Sequence, residues 1–480
     1  MVMGEAQEHA EVVVVGGGPG GYTAAFRAAD LGKQVALVEM EKRLGGVCLL
    51  RGCIPSKALI TAAELVQRIR NAEPMGIKTG AVEVNLPKLI AWKNGIIEEL
   101  ARGLDTLAKA RKIIRYTGRA TFRNAHELYI HTAEQPVLLR FEHAIIATGT
   151  SPIVPPPLER NELIITSDEA LDLTELPRSL LVVGGGYIGI ELGSCFAALG
   201  SQVTVVEMLD RLLPGTDPEL VRVVRKHLEE SGVRVHLQSK VTQARIVQGR
   251  VQVTIEHQNG QTSTGEFDRV LVAVGRRPNS DNLGLEKAGI HTDAKGYIPV
   301  NERCQTQVPH IFAIGDITGP PALAHRARRQ GIVAAEVLAG LPAAFDNRTV
   351  PAVIFSDPEI AYCGLSEEEA RAAGYRVKVG RFRLAASGRA KTLAQQDGLV
   401  IVIAEEGSEV VLGVRMVGPH VSELIAEATL AIEMGATLED LISTIHPHPT
   451  LSETLQEAAE AARGQAIHAP PTRSSSTKSS

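Results

Sequence analysis

The sequence predicts an α/β protein with two βαβ units near its N-terminal end and middle and a mixed α/β domain at its C-terminal end. Two observations predict it. First, a buried-strand run at residues 11–15 leads into Gly16-Gly17-Gly18-Pro19-Gly20-Gly21, then an Ala-rich helix over about 22–31 and a strand at 34–38 that ends on Glu39. The same order returns with a strand at 180–183, Gly184-Gly185-Gly186-Tyr187-Ile188-Gly189, a helix over about 190–199 and a strand at 202–206 that ends on Glu207. Each is a Rossmann-like, dinucleotide-binding pattern. Second, the pattern changes from about residue 348, where Pro351-Ala352-Val353-Ile354-Phe355 opens the mixed α/β segment.

Each part of the motif has a physical role. The glycines permit a tight turn and close backbone approach to a pyrophosphate, and the helix N-terminus offers N–H donors and positive dipole to that anion. The terminal acid accepts hydrogen bonds from an adenosine ribose. One such motif is weak, since glycine is common here; two with matching strand, helix and acid are strong. They suggest two dinucleotides, one candidate pair being a bound flavin and a diffusing nicotinamide. Glu207 would repel a 2′-phosphate, and no Arg replaces it; Arg211 is the nearest basic residue. NAD is therefore expected over NADP.

Just after the first unit comes Gly45-Gly46-Val47-Cys48-Leu49-Leu50-Arg51-Gly52-Cys53-Ile54-Pro55-Ser56-Lys57. Two thiols five positions apart can close a small ring disulfide. Beside a bound cofactor, such a pair can pass electron pairs to and from an external dithiol. A zinc site needs about four ligands, and no second Cys pair or His stands at ligand spacing. Cys195, Cys304 and Cys363 read as small core hydrophobes.

Bulk composition agrees with a soluble enzyme. The chain has 480 residues, 44% hydrophobic and 22% charged, with a net charge of −5. About three domains are expected and no nucleic-acid-binding surface. No apolar run is expected to be long enough to span a bilayer. Residues 1–10 carry no Arg and read as neither a secretory signal nor a transit peptide. Five cysteines in such a length argue against a secreted disulfide scaffold.

Further motifs occur in order: Ala147-Thr148-Gly149, Gly275-Arg276-Arg277-Pro278-Asn279, Ile314-Gly315-Asp316, Ala322-Leu323-Ala324-His325 and His446-Pro447-His448-Pro449-Thr450-Leu451-Ser452-Glu453. With the two glycine motifs and the cysteine box, they make the chain resemble the flavin-dependent pyridine nucleotide-disulfide oxidoreductases, most closely the dihydrolipoamide dehydrogenases, over roughly residues 11–467. The resemblance implies FAD-binding segments at 1–149 and 278–347, an NAD-binding domain at 150–277, a dimerisation domain at 348–467 and, at 468–480, a Pro- and Ser-rich disordered tail.

It also implies site roles. Gly16, Gly18 and Gly21 approach the FAD pyrophosphate and Glu39 its ribose. Gly46, Val47, Ala120, Thr148 and Gly149 lie along the same cofactor. Asp316 meets its ribityl side, and the Ala322, Leu323, Ala324 and His325 segment meets the ring. Lys57 lies near the flavin and pairs with Glu191; a cation there would stabilise the anionic reduced ring. Gly184, Gly186, Gly189, Glu207, Val241 and Gly275 line the NAD groove, and Tyr187 covers the flavin until nicotinamide displaces it.

The C-terminal motif supplies acid–base chemistry. Two prolines restrict the backbone around the histidines, and Glu453 can turn back to hold one ring nitrogen. The resemblance makes His448 the base and Glu453 its orienting partner, acting on the partner subunit, with a cis His448–Pro449 bond. The role of His446 stays open, a structural one included. The implied reaction oxidises protein-bound dihydrolipoamide with NAD. His448 takes a substrate proton, the substrate thiolate attacks the outer sulfur Cys48, and Cys53, nearer the flavin, passes the electrons on.

Val47 and Leu50 stand where the family box commonly has Thr and Asn, which affects flavin positioning rather than the reaction. Arg51 is uncommon there, and its charge is expected to raise thiolate character. Implied partners are a second copy of the chain and the lipoyl domains and acyltransferase core of a 2-oxo acid dehydrogenase complex, or a glycine-cleavage lipoyl carrier. No nucleic acid, membrane or metal is expected. A basic docking segment is expected to meet Glu423, Glu427, Glu433, Glu439 and Asp440. The implied location is the cytoplasm, or the mitochondrial matrix if a transit peptide has been removed. The alternatives are a related NAD(P)H-dependent reductase of another small disulfide and a non-catalytic flavoprotein subunit.

Overall fold

The strand β1 (Ala6–Val15) explains why the first apolar run shows no alternation. Val12 and Val14 enter one buried core and Val13 and Val15 another, on opposite sides of the strand. A strand covered on both faces needs apolar residues throughout. It centres a seven-stranded sheet in a computed structural model that describes residues 6–468. Of the expected disordered tail at 468–480, all but His468 lies outside the described residues.

The other strands of that sheet are β2 (Val35–Glu39), β3 (Ile114–Thr117), β4 (Arg119–Asn124), β5 (Glu127–His131) and β6 (Val137–Ile146), in the order β3-β2-β1-β6-β5-β4, with Ile311–Ala313 also paired to β6. The β1–β2, β1–β6 and β2–β3 pairings are parallel. Helix α1 (Pro19–Asp30) starts three residues earlier than the sequence pattern predicts. Gly18 is its N-cap and Pro19 fills the first turn, where a missing N–H costs nothing. The phosphate-turn residues are thus already helix.

The cysteine box forms two helices, α2 (Gly46–Arg51) and α3 (Cys53–Arg70), broken at Gly52. A Cβ at Gly52 would stand 2.9 Å from the Val47 carbonyl oxygen, so a side chain there would force α2 open. Together they correct one expectation. By length and composition, Gly46–Arg70, with mean hydropathy 1.3, is apolar enough to cross a membrane. Within it Pro55, Ala58, Leu59, Ile60, Ala63 and Val66 are buried in the fold, and 33% of the apolar window is buried in all. Helix α4 (Leu86–Ala110) follows, with a short α5 (Ser167–Ala170) later in the chain.

The chain divides into two compact units, Met1–Pro177 with Arg269–Asp346, and Arg178–Asp268 with Asn347–Ser480. The first holds the elements above and the helix Ala324–Leu338. In the second, Ser179–Val183, Gln202–Val206 and Arg234–His236 pair in parallel. The helix Tyr187–Leu199 again starts at the motif's own turn, capped by Gly186. A five-stranded antiparallel sheet, from Ala352–Ile354 to Val411–Gly418, packs its core against Val421–Met434 and Glu453–Ala462.

Candidate active site

The two glycine turns have the same construction. Glu39 Oε2 accepts the Gly17 N–H at 2.6 Å and Oε1 accepts the Glu41 N–H at 3.0 Å. Glu207 Oε2 accepts the Gly185 N–H at 2.6 Å and Oε1 accepts the Leu209 N–H at 2.8 Å. Each acid therefore locks its own turn and retains acceptor capacity, since a carboxylate has about four lone-pair sites. The middle glycines are spared by the protein's own packing. A Cβ on Gly18 would find only Gly46 Cα, at 3.9 Å, and one on Gly186 nothing within 4 Å. That is the open backbone approach a pyrophosphate requires, so both turns fit a dinucleotide.

In the first unit, Gly46 lies directly on the phosphate turn, and Gly45 N–H donates to Gly17 O at 2.8 Å. Val47 and Cys48 follow in the first turn of α2, and Lys57 lies half-buried near the start of α3. Cys48 is half-buried and Cys53 is exposed. Cys48 is held well above the ordinary cysteine value, first by its hydrogen bond to Cys53, then by burial and the charge of Cys53, while Lys57 pulls the other way.

Several distant motifs converge on the same unit. The Thr148–Gly149 turn is bolted to Asn279, whose Nδ2 donates to Thr148 O at 2.8 Å and whose backbone N–H donates to Gly149 O at 2.9 Å. Thr150 Oγ1 donates to Asp316 Oδ2 at 3.0 Å and accepts from Arg276 Nε at 2.8 Å. Leu323 caps Ala324–Leu338, placing Ala322, Leu323, Ala324 and His325 at that helix's N-terminus. Buried Ala120 follows Gly118, whose N–H donates to Glu39 O at 2.9 Å. Sequence reasoning missed Thr150, Arg276 and Asn279 as supports; their only signal was membership of, or adjacency to, the recurring motifs.

In the second unit, Gly184, Gly186 and Gly189 form the turn and Tyr187 stands 43% exposed at the helix start. Ser239 N–H donates to Glu207 O at 2.9 Å, bringing Val241 to the same strand end. Arg211 is held by its neighbour Asp210. Buried Glu191 accepts the Phe355 N–H at 2.9 Å. Gly275 belongs to the first unit.

The two histidines separate clearly. His448 has a side chain 79% exposed, and its Nδ1 lies 2.8 Å from Glu453 Oε1. Glu453 Oε2 accepts the Thr450 N–H at 2.8 Å, and the His448–Pro449 bond is cis. Burial raises the Glu453 carboxyl, but the Thr450 N–H and His448 outweigh it and hold the group below its ordinary value. This leaves the Nε2 of an exposed ring to act. The His446 side chain is 4% exposed; its Nε2 lies 2.8 Å from Glu427 Oε1 and its Nδ1 2.9 Å from Thr444 O, so both ring nitrogens are engaged.

The groups named in two charge expectations have partners within the chain. Arg51 does not stand as a free charge for a thiolate: Nη1 donates to Glu41 Oε1 at 2.7 Å and Nε lies 3.5 Å from Asp168 Oδ2. The acidic docking surface is largely internally engaged. Glu427 holds His446, Glu433 accepts the Thr349 N–H, Glu439 pairs with Arg463, and Asp440 closes a capping box with Thr437.

Comparison with known proteins agrees with this construction. The pyridine nucleotide-disulphide oxidoreductase profile matches residues 10–331, and the dimerisation domain of the same family matches residues 350–459. A dihydrolipoyl dehydrogenase of Haloferax volcanii is 48% identical over 98% of this chain and 99% of its own length. One from Geobacillus stearothermophilus is 45% identical over 98% and 99%. The crystal structure of LpdA from Mycobacterium tuberculosis superposes with a TM-score of 0.87 at 29% identity, over 94% of this chain and 99% of that one. Two locked glycine turns, a paired-cysteine helix against the first of them and a matched dimerisation domain lead to one conclusion: the chain belongs to the pyridine nucleotide-disulphide oxidoreductase family.

Proposed function

We propose that the protein oxidises a protein-bound dihydrolipoyl dithiol with NAD, using Cys48 and Cys53 as the exchanging pair. The observation that carries this reading is the placement of Cys48, on the helix set against the first phosphate turn, and Cys53, at the start of the next helix, together with relatives of 44–48% identity named dihydrolipoyl dehydrogenase. Bound FAD would supply the two-electron link between this pair and NAD. Gly16, Gly18, Gly21, Glu39, Gly46, Thr148, Gly149 and Asp316 would hold the FAD, with Ala324 and His325 at its ring. Gly184, Gly186, Gly189, Glu207 and Val241 would hold NAD.

The chain's own residues do the rest. His448, oriented by Glu453, accepts the proton of the substrate thiol, because the thiolate is the nucleophile. The substrate thiolate attacks Cys48 of the disulfide, releasing Cys53 as thiolate. The second substrate thiol, deprotonated in turn, closes the substrate disulfide and frees Cys48, which takes up a proton. Two electrons and two protons leave the substrate in the net exchange.

The matched dimerisation domain supports a homodimer; we assign His448 to the site of the partner copy. FAD-binding segments 1–149 and 278–347, an NAD domain at 150–277 and a dimerisation domain at 348–467 accompany this assignment. Lipoyl domains of a 2-oxo acid dehydrogenase complex, or a glycine-cleavage carrier, are the proposed partners and the cytoplasm the proposed location. The deciding experiment compares NADH-driven reduction of lipoamide, oxidised glutathione and mercuric ion by purified, yellow protein with about one FAD per chain. Lipoamide should be the fastest. Colourless protein unable to take up FAD, or preference for glutathione or mercuric ion, would overturn the reading.

A further inference from the structure

Arg51 ends α2, between the two sulfurs, and is the point where that six-residue helix is tied down. The start of α2 is fixed by the Gly45 N–H on Gly17 O. Its end is followed at once by the break at Gly52, so no helical hydrogen-bond ladder carries it rigidly into α3. Arg51 adds ion pairs at the end of α2 to the Cys48–Cys53 contact that joins the two helices. Nη1 meets Glu41 at 2.7 Å and Nε faces Asp168 at 3.5 Å. Both partners are themselves placed. The Glu41 N–H donates to Glu39 Oε1, and Asp168 sits in the first turn of α5, whose capping box is formed by Thr166 and Glu169. Asp168 Oδ1 is buried and makes no hydrogen bond, so the one cation facing this carboxylate at ion-pair distance among the described residues is Arg51.

We propose that Arg51 is a positioning residue: it clamps the end of α2 to Glu41 and Asp168 and thereby sets how readily Cys48 and Cys53 close their disulfide. This rests on the reading that the two cysteines are the redox pair. The planar fork of a guanidinium can meet two carboxylates at once, which the point charge of a lysine cannot do equally well. With α2 freed at one end, Cys48 is less well oriented toward Cys53 at the start of α3, and ring closure is less favoured.

A rival reading has Arg51 acting through its charge on a thiolate. The two readings differ in sign. Arg51→Gln loosens a clamp and lowers the closure constant, whereas loss of a thiolate-stabilising charge would raise it.

The test equilibrates FAD-containing protein in dithiothreitol buffers of graded ratio, with acid quenching, alkylation and mass measurement of the disulfide fraction. On closure, Cys48 and Cys53 lose two electrons and two protons, and the cyclic disulfide of oxidised dithiothreitol takes them and opens. Arg51→Gln and Asp168→Asn should each lower the closure constant about three- to tenfold, the upper figure being about 30 mV for a two-electron couple. Arg51→Lys should resemble Arg51→Gln. A raised closure constant in Arg51→Gln, full rescue by lysine, or wild-type behaviour in all variants would overturn the clamp. FAD content and melting temperature check that the variants fold. If Arg51→Gln loses FAD, Glu41→Gln should give the same direction at smaller amplitude, and no shift there would count as failure. A wild-type protein that never forms the disulfide in any buffer would instead defeat the redox-pair reading itself.

Discussion

Gly46 and Gly18 meet backbone to backbone: a Cβ on Gly46 would stand 2.6 Å from Gly18 Cα and 3.2 Å from Gly18 N. Neither atom belongs to a flexible side chain, so α2 would have to move off the phosphate turn. Gly46 also has φ +57, which adds about 1–2 kcal/mol for any L side chain. Gly46→Ala should therefore purify with reduced FAD content and lower affinity on reconstitution. Wild-type flavin content and affinity would refute this contact as a constraint.

The assignment of Cys53 as the sulfur nearer the flavin predicts different failures for the two variants. Cys48→Ser and Cys53→Ser should both abolish lipoamide turnover. Only the variant retaining Cys53 should keep a long-wavelength thiolate-to-flavin absorption. Identical flavin spectra would reverse or void the assignment of inner and outer sulfur.

His448→Gln should lose lipoamide activity by on the order of a hundredfold or more, given the usual ~10²–10⁴ contribution of a general base. NADH oxidation by an artificial acceptor should largely persist, and Glu453→Gln should fall between. Loss in His446→Gln with retention in His448→Gln would move the base to His446. A heterodimer of Cys48→Ser with His448→Gln should keep about half the activity if each site borrows its partner's base, and none if each chain supplies its own.

Glu207 predicts cofactor choice. A 2′-phosphate about 4 Å from it would meet a repulsion of about 1 kcal/mol in water and about 4 kcal/mol at an effective dielectric of ~20. NAD should then be preferred about ten- to a thousandfold in kcat/KM. Glu207→Gln should narrow the ratio, unless loss of the bond to Gly185 N–H weakens both cofactors equally, a result that would assign Glu207 to turn locking alone.

Glu453 sets a pH effect of known sign. Its folded carboxyl lies below the ordinary value, so the folded state binds fewer protons than the unfolded state between the two values. The contribution is complete above the unfolded value of about 4.3 and is lost as pH falls through the folded one. The melting temperature of wild type should exceed that of Glu453→Gln at pH 7, and the gap should close below about pH 4. A gap independent of pH would mean that the carboxylate's charge is not what stabilises the motif.

Much of the site is legible in the chain because its chemistry is local. Glu39 and Glu207 follow their glycine turns at fixed strand and helix lengths, so a βαβ unit brings acid and turn together without help from elsewhere. His448 and Glu453 are five positions apart, and one turn joins them. The apolar pattern places both helix starts three residues late, because Gly18 and Gly186 are caps as well as phosphate turns.

Other relations required the tertiary structure. Periodicity and composition cannot say whether Gly46–Arg70 lies in lipid or in a protein core, since both environments select apolar residues. Arg51 reads in sequence as a bare charge beside two thiols, yet Glu41, 10 residues before it, and Asp168, far later in the chain, both claim it. Thr150 lies 166 residues from Asp316 and 126 from Arg276, and the three touch only because the fold brings their segments together. The sequence alone determined which residues can carry the chemistry, because motif spacing is a property of short chain segments. Only the tertiary structure decided which charges are neutralised and which groups stay available, because a charge is set by whatever partner the fold places within a few ångströms.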